Sequence, residues 1–238
     1  MRNILFILLI PFIISAQDFS VGTWREHLPH ENVTYVVPMG DKCYASTPYS
    51  MYYYDNADNS LNRLNTITGL SEIGISKIHP NSKNNTIVVA YNSGNIDLIK
   101  EDRIINISAI INSNIVGDKM IYGVFSKEDL TYLATGFGIV VVDVKKEEIK
   151  ATYIIGANGS QTKVNDVVIG GGYIYAATEN GIKRAQESEP FLSDPSVWTS
   201  FLVPPSTTID FQKLEYYSGL FNDRLIVIEN GPSYNDDS

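Results

Sequence analysis

Cysteine is almost absent from this chain of 238 residues: Cys43 stands alone, and one thiol makes no internal disulfide. Histidine is nearly as scarce, at His27, His30 and His79. Basic charge is in deficit. The formal net charge of −9 excludes the cationic face that nucleic-acid phosphates require, and it weakens docking on bare anionic lipid. Helix-forming runs of Ala, Leu, Glu and Lys are missing, and beyond the first sixteen residues no segment has the length or apolarity of a membrane-spanning helix. With no disulfide to draw on, the fold must rest on buried apolar surface. Cys43 itself, in Lys42-Cys43-Tyr44-Ala45, reads as a strand residue packed in a core.

What is present suits strands. Apolar residues make up 44% and charged residues only 19%, a balance that favours a folded chain over disorder. Tyr, at fifteen residues, joins abundant Val, Ile and Thr, all of which fit a pleated, half-buried surface. The expected class is all-β. Residues 1–16 carry Arg2, an apolar run from Ile4 to Ile14, then Ser15-Ala16, the layout of a secretory signal peptide cleaved before Gln17. No cysteine follows the cleavage point, so a lipoprotein anchor is not indicated.

A repeat dominates the rest. Four apolar strands end in a small residue, as Tyr44-Ala45-Ser46-Thr47, Val88-Val89-Ala90-Tyr91, Tyr132-Leu133-Ala134-Thr135 and Tyr175-Ala176-Ala177-Thr178. Ser46, Ala90, Ala134 and Ala177 therefore recur at intervals of about 44 residues, the size of one four-stranded propeller blade. Ser50, Gly94, Gly138 and Gly181 hold the turn behind each in register, and Gly supplies the positive φ of a tight hairpin. A strand precedes each unit, at Thr34–Val37, Ile75–Ile78, Met120–Val124 and Val164–Val168; a fifth unit opens at Phe211–Leu214 and reaches Leu225–Ile228. A β-solenoid has shorter coils, and a sandwich has no reason to repeat its turns in register. The sequence thus predicts a β-propeller of four blades plus part of a fifth, an incomplete ring. Its units fall at 33–74, 75–118, 119–162 and 163–207, with a partial one over 208–238. Residues 17–32, with Trp24, match the outer strand Val197–Phe201 and supply a closing strand. The small residues are expected near the axis, where blades converge.

Catalytic constellations are not found. His27 and His30 flank Pro29, which rules out the helical spacing a metal would need. Gly170-Gly171-Gly172 precedes a strand and Gly136-Phe137-Gly138 is a hairpin turn, so neither cradles phosphate. Asp97 and Asp143, on third strands, are expected to cap turns or face solvent, and Tyr52-Tyr53-Tyr54 to pack between blades. Gln186–Pro195 reads as an acidic surface loop. Asn-x-Ser/Thr sites stand at Asn32, Asn84, Asn106 and Asn158. The expectation is a protein that is not an enzyme, with no catalytic, cofactor or metal residues to assign and the binding residues unassigned.

Two resemblances rest on these motifs. Val164-Asn165-Asp166-Val167-Val168, followed by Tyr173-Ile174-Tyr175-Ala176-Ala177-Thr178-Glu179-Asn180-Gly181-Ile182, is similar to the regulator-propeller repeat of hybrid two-component sensors. The N-terminal order of signal peptide, Gly22-Thr23-Trp24-Arg25-Glu26-His27-Leu28-Pro29 and propeller units resembles the N-terminus of PorZ-type proteins. These are components of the type IX secretion system of Bacteroidetes. That resemblance implies export to the periplasm, outer membrane or cell surface. It also implies a scaffold in cargo attachment, with other secretion-system proteins and surface lipopolysaccharide as partners. The first likeness leaves a periplasmic ligand-sensing propeller as the alternative.

Overall fold

The β-rich composition resolves into short strands separated by turns. The computed structural model describes residues 32–202 and two further strands, at 216–221 and 224–229. The signal peptide, Trp24, His27, His30 and Phe211–Leu214 lie outside the described residues.

Four antiparallel sheets follow one another along the chain, each a meander of four sequential strands. The first holds β1 (Tyr35–Met39), β2 (Lys42–Ser46), β3 (Met51–Asp55) and β4 (Ser60–Leu64). The second holds β5 (Ile75–Asn81), β6 (Thr86–Tyr91), β7 (Ile96–Ile99) and β8 (Ile104–Ile107). In the third are β9 (Ile121–Lys127), β10 (Leu130–Thr135), β11 (Gly138–Asp143) and β12 (Glu148–Tyr153). The fourth has β13 (Val164–Gly170), β14 (Tyr173–Thr178), β15 (Gly181–Gln186) and β16 (Thr199–Leu202). A hairpin of β17 (Tyr216–Phe221) and β18 (Arg224–Glu229) forms a further two-stranded sheet. The first strands β1, β5, β9, β13 and β17 lie side by side in that order, which makes them the inner strands of successive blades.

Alternation along the strands builds the core between blades. On β6, Ile87, Val89 and Tyr91 face the first blade, while Val88 and Ala90 face the third. On β10, Leu133 faces the second blade, and Tyr132 and Ala134 the fourth. Three apolar clusters result, one at each junction between the four blades. The small repeated residue sits on the second strand of each sheet instead of the innermost one. Ala90 and Ala134 face the following blade, where a larger side chain would hold the sheets apart.

The repeated threonine has a local task. Thr47, Thr135 and Thr178 hydroxyls donate to the carbonyl oxygens of Ser50, Gly138 and Gly181, at 3.2, 2.9 and 2.7 Å. Each closes the hairpin between the second and third strands. Gly138 and Gly181 have φ of 149° and 106°, which an L side chain rarely adopts. The fourth outer strand starts at Thr199 and not at Val197, because Pro195–Val197 form a 3₁₀ turn capped by the Asp194 side chain. Gln186 ends β15, so the acidic loop begins after it.

Candidate functional site

The inner strands determine what chemistry the centre of the molecule offers. β5, β9 and β13 each contain a register shift near their start, and the extra residues are Ser76, Tyr122 and Asn165. A bulge of this kind redirects a side chain that would otherwise follow the alternation. Ser76 is satisfied locally, since its hydroxyl donates to the Ala90 carbonyl at 3.0 Å. Tyr122 donates its hydroxyl to Asp118. Asn165 is buried, and its side-chain nitrogen has no hydrogen-bond partner among the described residues.

These strands line an open pocket of about 280 Å³. Tyr35 and Val37 line it from β1, Lys77, Ile78 and His79 from β5, Tyr122, Gly123 and Val124 from β9, and Asn165 and Asp166 from β13. Gly123 permits the close approach of β9 to β13: a Cβ there would stand 2.5 Å from Asp166 Oδ1 and 3.0 Å from the Asn165 carbonyl oxygen. The Lys77 ammonium stands 4.6 Å from the centre of the Tyr35 ring, and that of Lys163 stands 4.2 Å from the Tyr122 ring. Burial pushes the His79 imidazole down to about 4. It is therefore neutral near pH 7. Its Nε2 accepts the Ser126 backbone N–H at 3.2 Å, so the proton resides on Nδ1. Asp166 Oδ1 accepts the Val167 N–H at 2.9 Å.

A second polar cluster lies in the second blade. Asp97 is fully buried and neither caps a turn nor faces solvent. Its carboxylate accepts from Ser71 N at 2.8 Å, Ser71 Oγ at 2.6 Å, Tyr91 OH at 2.6 Å and Asn106 Nδ2 at 2.9 Å. Burial, reinforced by Asp97, raises the Tyr91 phenol far above its ordinary range. Four donors use the carboxylate's lone pairs, so the cluster ties the crossover from the first blade to the second sheet and leaves nothing for a ligand. Asp143, by contrast, caps a turn by accepting the Lys146 N–H at 2.9 Å.

Other residues singled out in the sequence stand apart from the axis. Tyr53 packs against Tyr44, with ring centres 5.1 Å apart, while Tyr54 is exposed and donates to Asn59. Asn84 and Asn106 are both bound by neighbouring side chains. Gly171 and Gly172, at φ of 59° and 80°, form the turn between β13 and β14. Among the described residues no group of three or more His, Cys, Asp or Glu could hold a metal, and no helix is long and apolar enough to cross a membrane. Sequence reasoning passed over Asn165, His79 and Lys77.

Comparison with known proteins adds the family. The model for the PorZ N-terminal β-propeller domain of the type IX secretion system matches residues 43–199, from β2 to β16. Among solved structures, PorZ of Porphyromonas gingivalis, described as an essential bacterial surface component of that system, is similar. It has 29% identity and a TM-score of 0.62, covering 70% of this chain and 22% of that one. The extracellular domain of a putative hybrid two-component system of B. thetaiotaomicron matches at 16% identity and a TM-score of 0.57, covering 75% of this chain and 23% of that one. The chain thus spans less than a quarter of either protein. No curated protein sequence matches it.

Proposed function

Because the chain belongs to the family of PorZ N-terminal β-propeller domains of the type IX secretion system, we propose that it is a non-catalytic scaffold which helps to secure secreted cargo at the bacterial surface. The observation that carries this reading is the family match over residues 43–199, together with 29% identity to a surface component of that system. The geometry fits a scaffold. Buried polar groups such as Asp97 are saturated by structural partners, and exposed apolar side chains include Tyr49, Ile67, Ile73 and Val116 in turns and crossovers. Secretion-system proteins are the expected partners, with surface lipopolysaccharide as a second.

The test is genetic. Deleting the gene in the producing bacterium should release type IX cargo from the cell surface, measured by fractionation, and the full-length gene should restore it. Unchanged surface cargo contradicts the proposal. Exported, the protein should fractionate with the periplasm, outer membrane or cell surface. A screen on polysaccharides should yield no turnover; reproducible cleavage contradicts a non-catalytic role. The likeness to the two-component sensor, at 16% identity, supports the fold and no further function.

A further inference from the structure

The two ends of the blades differ in chemistry. Because each sheet is a meander, the crossovers between blades and the turns between second and third strands lie at one end, and the remaining turns lie at the other. Backbone bonds tie the crossover end together: Gly74 N–H, in the first crossover, donates to the Pro48 carbonyl at 2.8 Å, and Asn92 N–H donates to the Gly74 carbonyl at 2.9 Å. Val33, Tyr49, Ile67, Ile73 and Val116 are all exposed at this end, Val116 by 83%. Fixed turns present them. Asn65 Oδ1 accepts the Ile67 N–H at 2.8 Å, and the bond from Gly74 to Pro48 fastens the Ile73 segment to the Tyr49 turn. Charge is scarce here. In the turns and crossovers at this end, from β2 to β13, the charged residues are Glu72, Asp118, Lys119 and Lys163, and their signs balance. Each has an internal partner. Glu72 accepts from Ser93 and Asn95, Asp118 accepts from Tyr122, Lys119 donates to the carbonyl oxygens of Ile111 and Ser113, and Lys163 lies over the Tyr122 ring. At the opposite end Asp41, Asp58, Glu101, Asp102 and Glu128 are exposed.

We propose that the crossover end is the interface of a homodimer, in which two copies of this chain pair face to face. Apolar groups held on fixed turns gain by leaving water and lose little freedom in doing so. The choice of occupant follows from charge. A two-fold interface sets a surface against itself. In a chain of net charge −9, most surfaces paired in this way would oppose like charges. The crossover end avoids that penalty, since its few charges balance and are partnered within each copy. Its exposed aliphatic groups also match the composition of homodimer interfaces, whose cores are depleted of Lys, Glu and Asp. An anionic lipid or glycan does not fit, because both ammonium groups at this end are already engaged. The inference goes beyond the secretion role and does not depend on it, since it needs only the described blades.

The experiment is sedimentation velocity of the full chain, as exported, over a range of concentrations. A reversible dimer should form, and added salt should preserve or tighten it, since copies of like net charge repel. Ile73→Glu and Val116→Glu should each weaken dimerisation at least about tenfold, because each places one new carboxylate per copy in the interface. Both side chains are exposed, so the variants should keep the circular dichroism spectrum of the wild type. Leu61→Glu, on the outer face of the first blade, should dimerise as the wild type does. That variant separates the crossover end from the other exposed apolar surface. A monomer at every concentration, a dimer that dissociates as salt is added, unchanged dimerisation in both crossover variants, or loss of the dimer in Leu61→Glu overturns the proposal.

Discussion

The first blade and the two that follow it share a repeat but not an environment. Strands β6 and β10 lie between neighbouring blades, and Ile87, Val88, Val89, Leu133 and Ala134 are wholly buried. In the first blade only one face has a neighbour among the described residues, and Val36 and Leu61 on the other remain 59% exposed. The same strand pattern therefore produces a two-sided core in one case and a one-sided core in the other. A four-stranded sheet of this size depends on adjacent sheets to remove its apolar surface from water.

That contrast is open to direct attack. The largest effect should come from Leu133→Ala, which opens a cavity between the second and third blades and should cost about 4 kcal/mol. Leu61→Ala in the first blade should cost less than about 0.5 kcal/mol. Urea unfolding of both variants checks the difference. Equal losses would mean that the first blade is covered as fully as the others.

Next comes the polar cluster that only the second blade possesses. There Tyr91 stands where Thr47, Thr135 and Thr178 close the turns of the other blades, and its hydroxyl reaches Asp97 instead. Asp97→Ala leaves the Ser71 and Tyr91 donors unpaired and should cost about 3 kcal/mol. Asp143→Ala removes a single turn cap and should cost about 1 kcal/mol.

The pH response sharpens the same comparison at the axis. Unfolded, His79 takes up a proton near pH 6.5; folded, it does so at about 4. Its contribution is thus complete above pH 6.5 and is lost as pH falls from 6.5 towards 4. Solvent at the exposed edge of the ring screens part of the effect, leaving about 2 kcal/mol. His79→Gln should flatten the stability profile in that window, as followed by Tm against pH. A parallel profile for wild type and variant would contradict the burial of the ring. Thr178→Val should cost about 1 kcal/mol by breaking the hairpin bond to Gly181, measured by urea unfolding.

Much of this architecture is written locally. The turn residues of the hairpins, Thr135 with Gly138 and Thr178 with Gly181 among them, occur within a few residues of one another, so their register shows directly in the chain, and the propeller follows from the interval between them. The small residue is equally visible, but its place on the second strand depends on which strand faces the axis, and spacing alone does not determine that. Asp97 looks like any polar strand residue until Ser71 and Asn106, from different elements, close around it. Asn165 is harder still. Its bulge arises from the register between β13 and β14, where Val164 pairs with Thr178 and Asp166 with Ala177, and a single strand carries no trace of that. The late start of the fourth outer strand was foreshadowed by Asp194-Pro195, a cap followed by the residue best suited to the first position of a turn.

Native-state hydrogen exchange tests most directly whether each sheet owes its stability to its neighbours. Amides of β6 and β10 should exchange slowest, near the rate set by global unfolding, while those of β3 and β4 exchange faster through local opening. Equal protection of the first blade and the inner two would contradict the dependence of blade on blade.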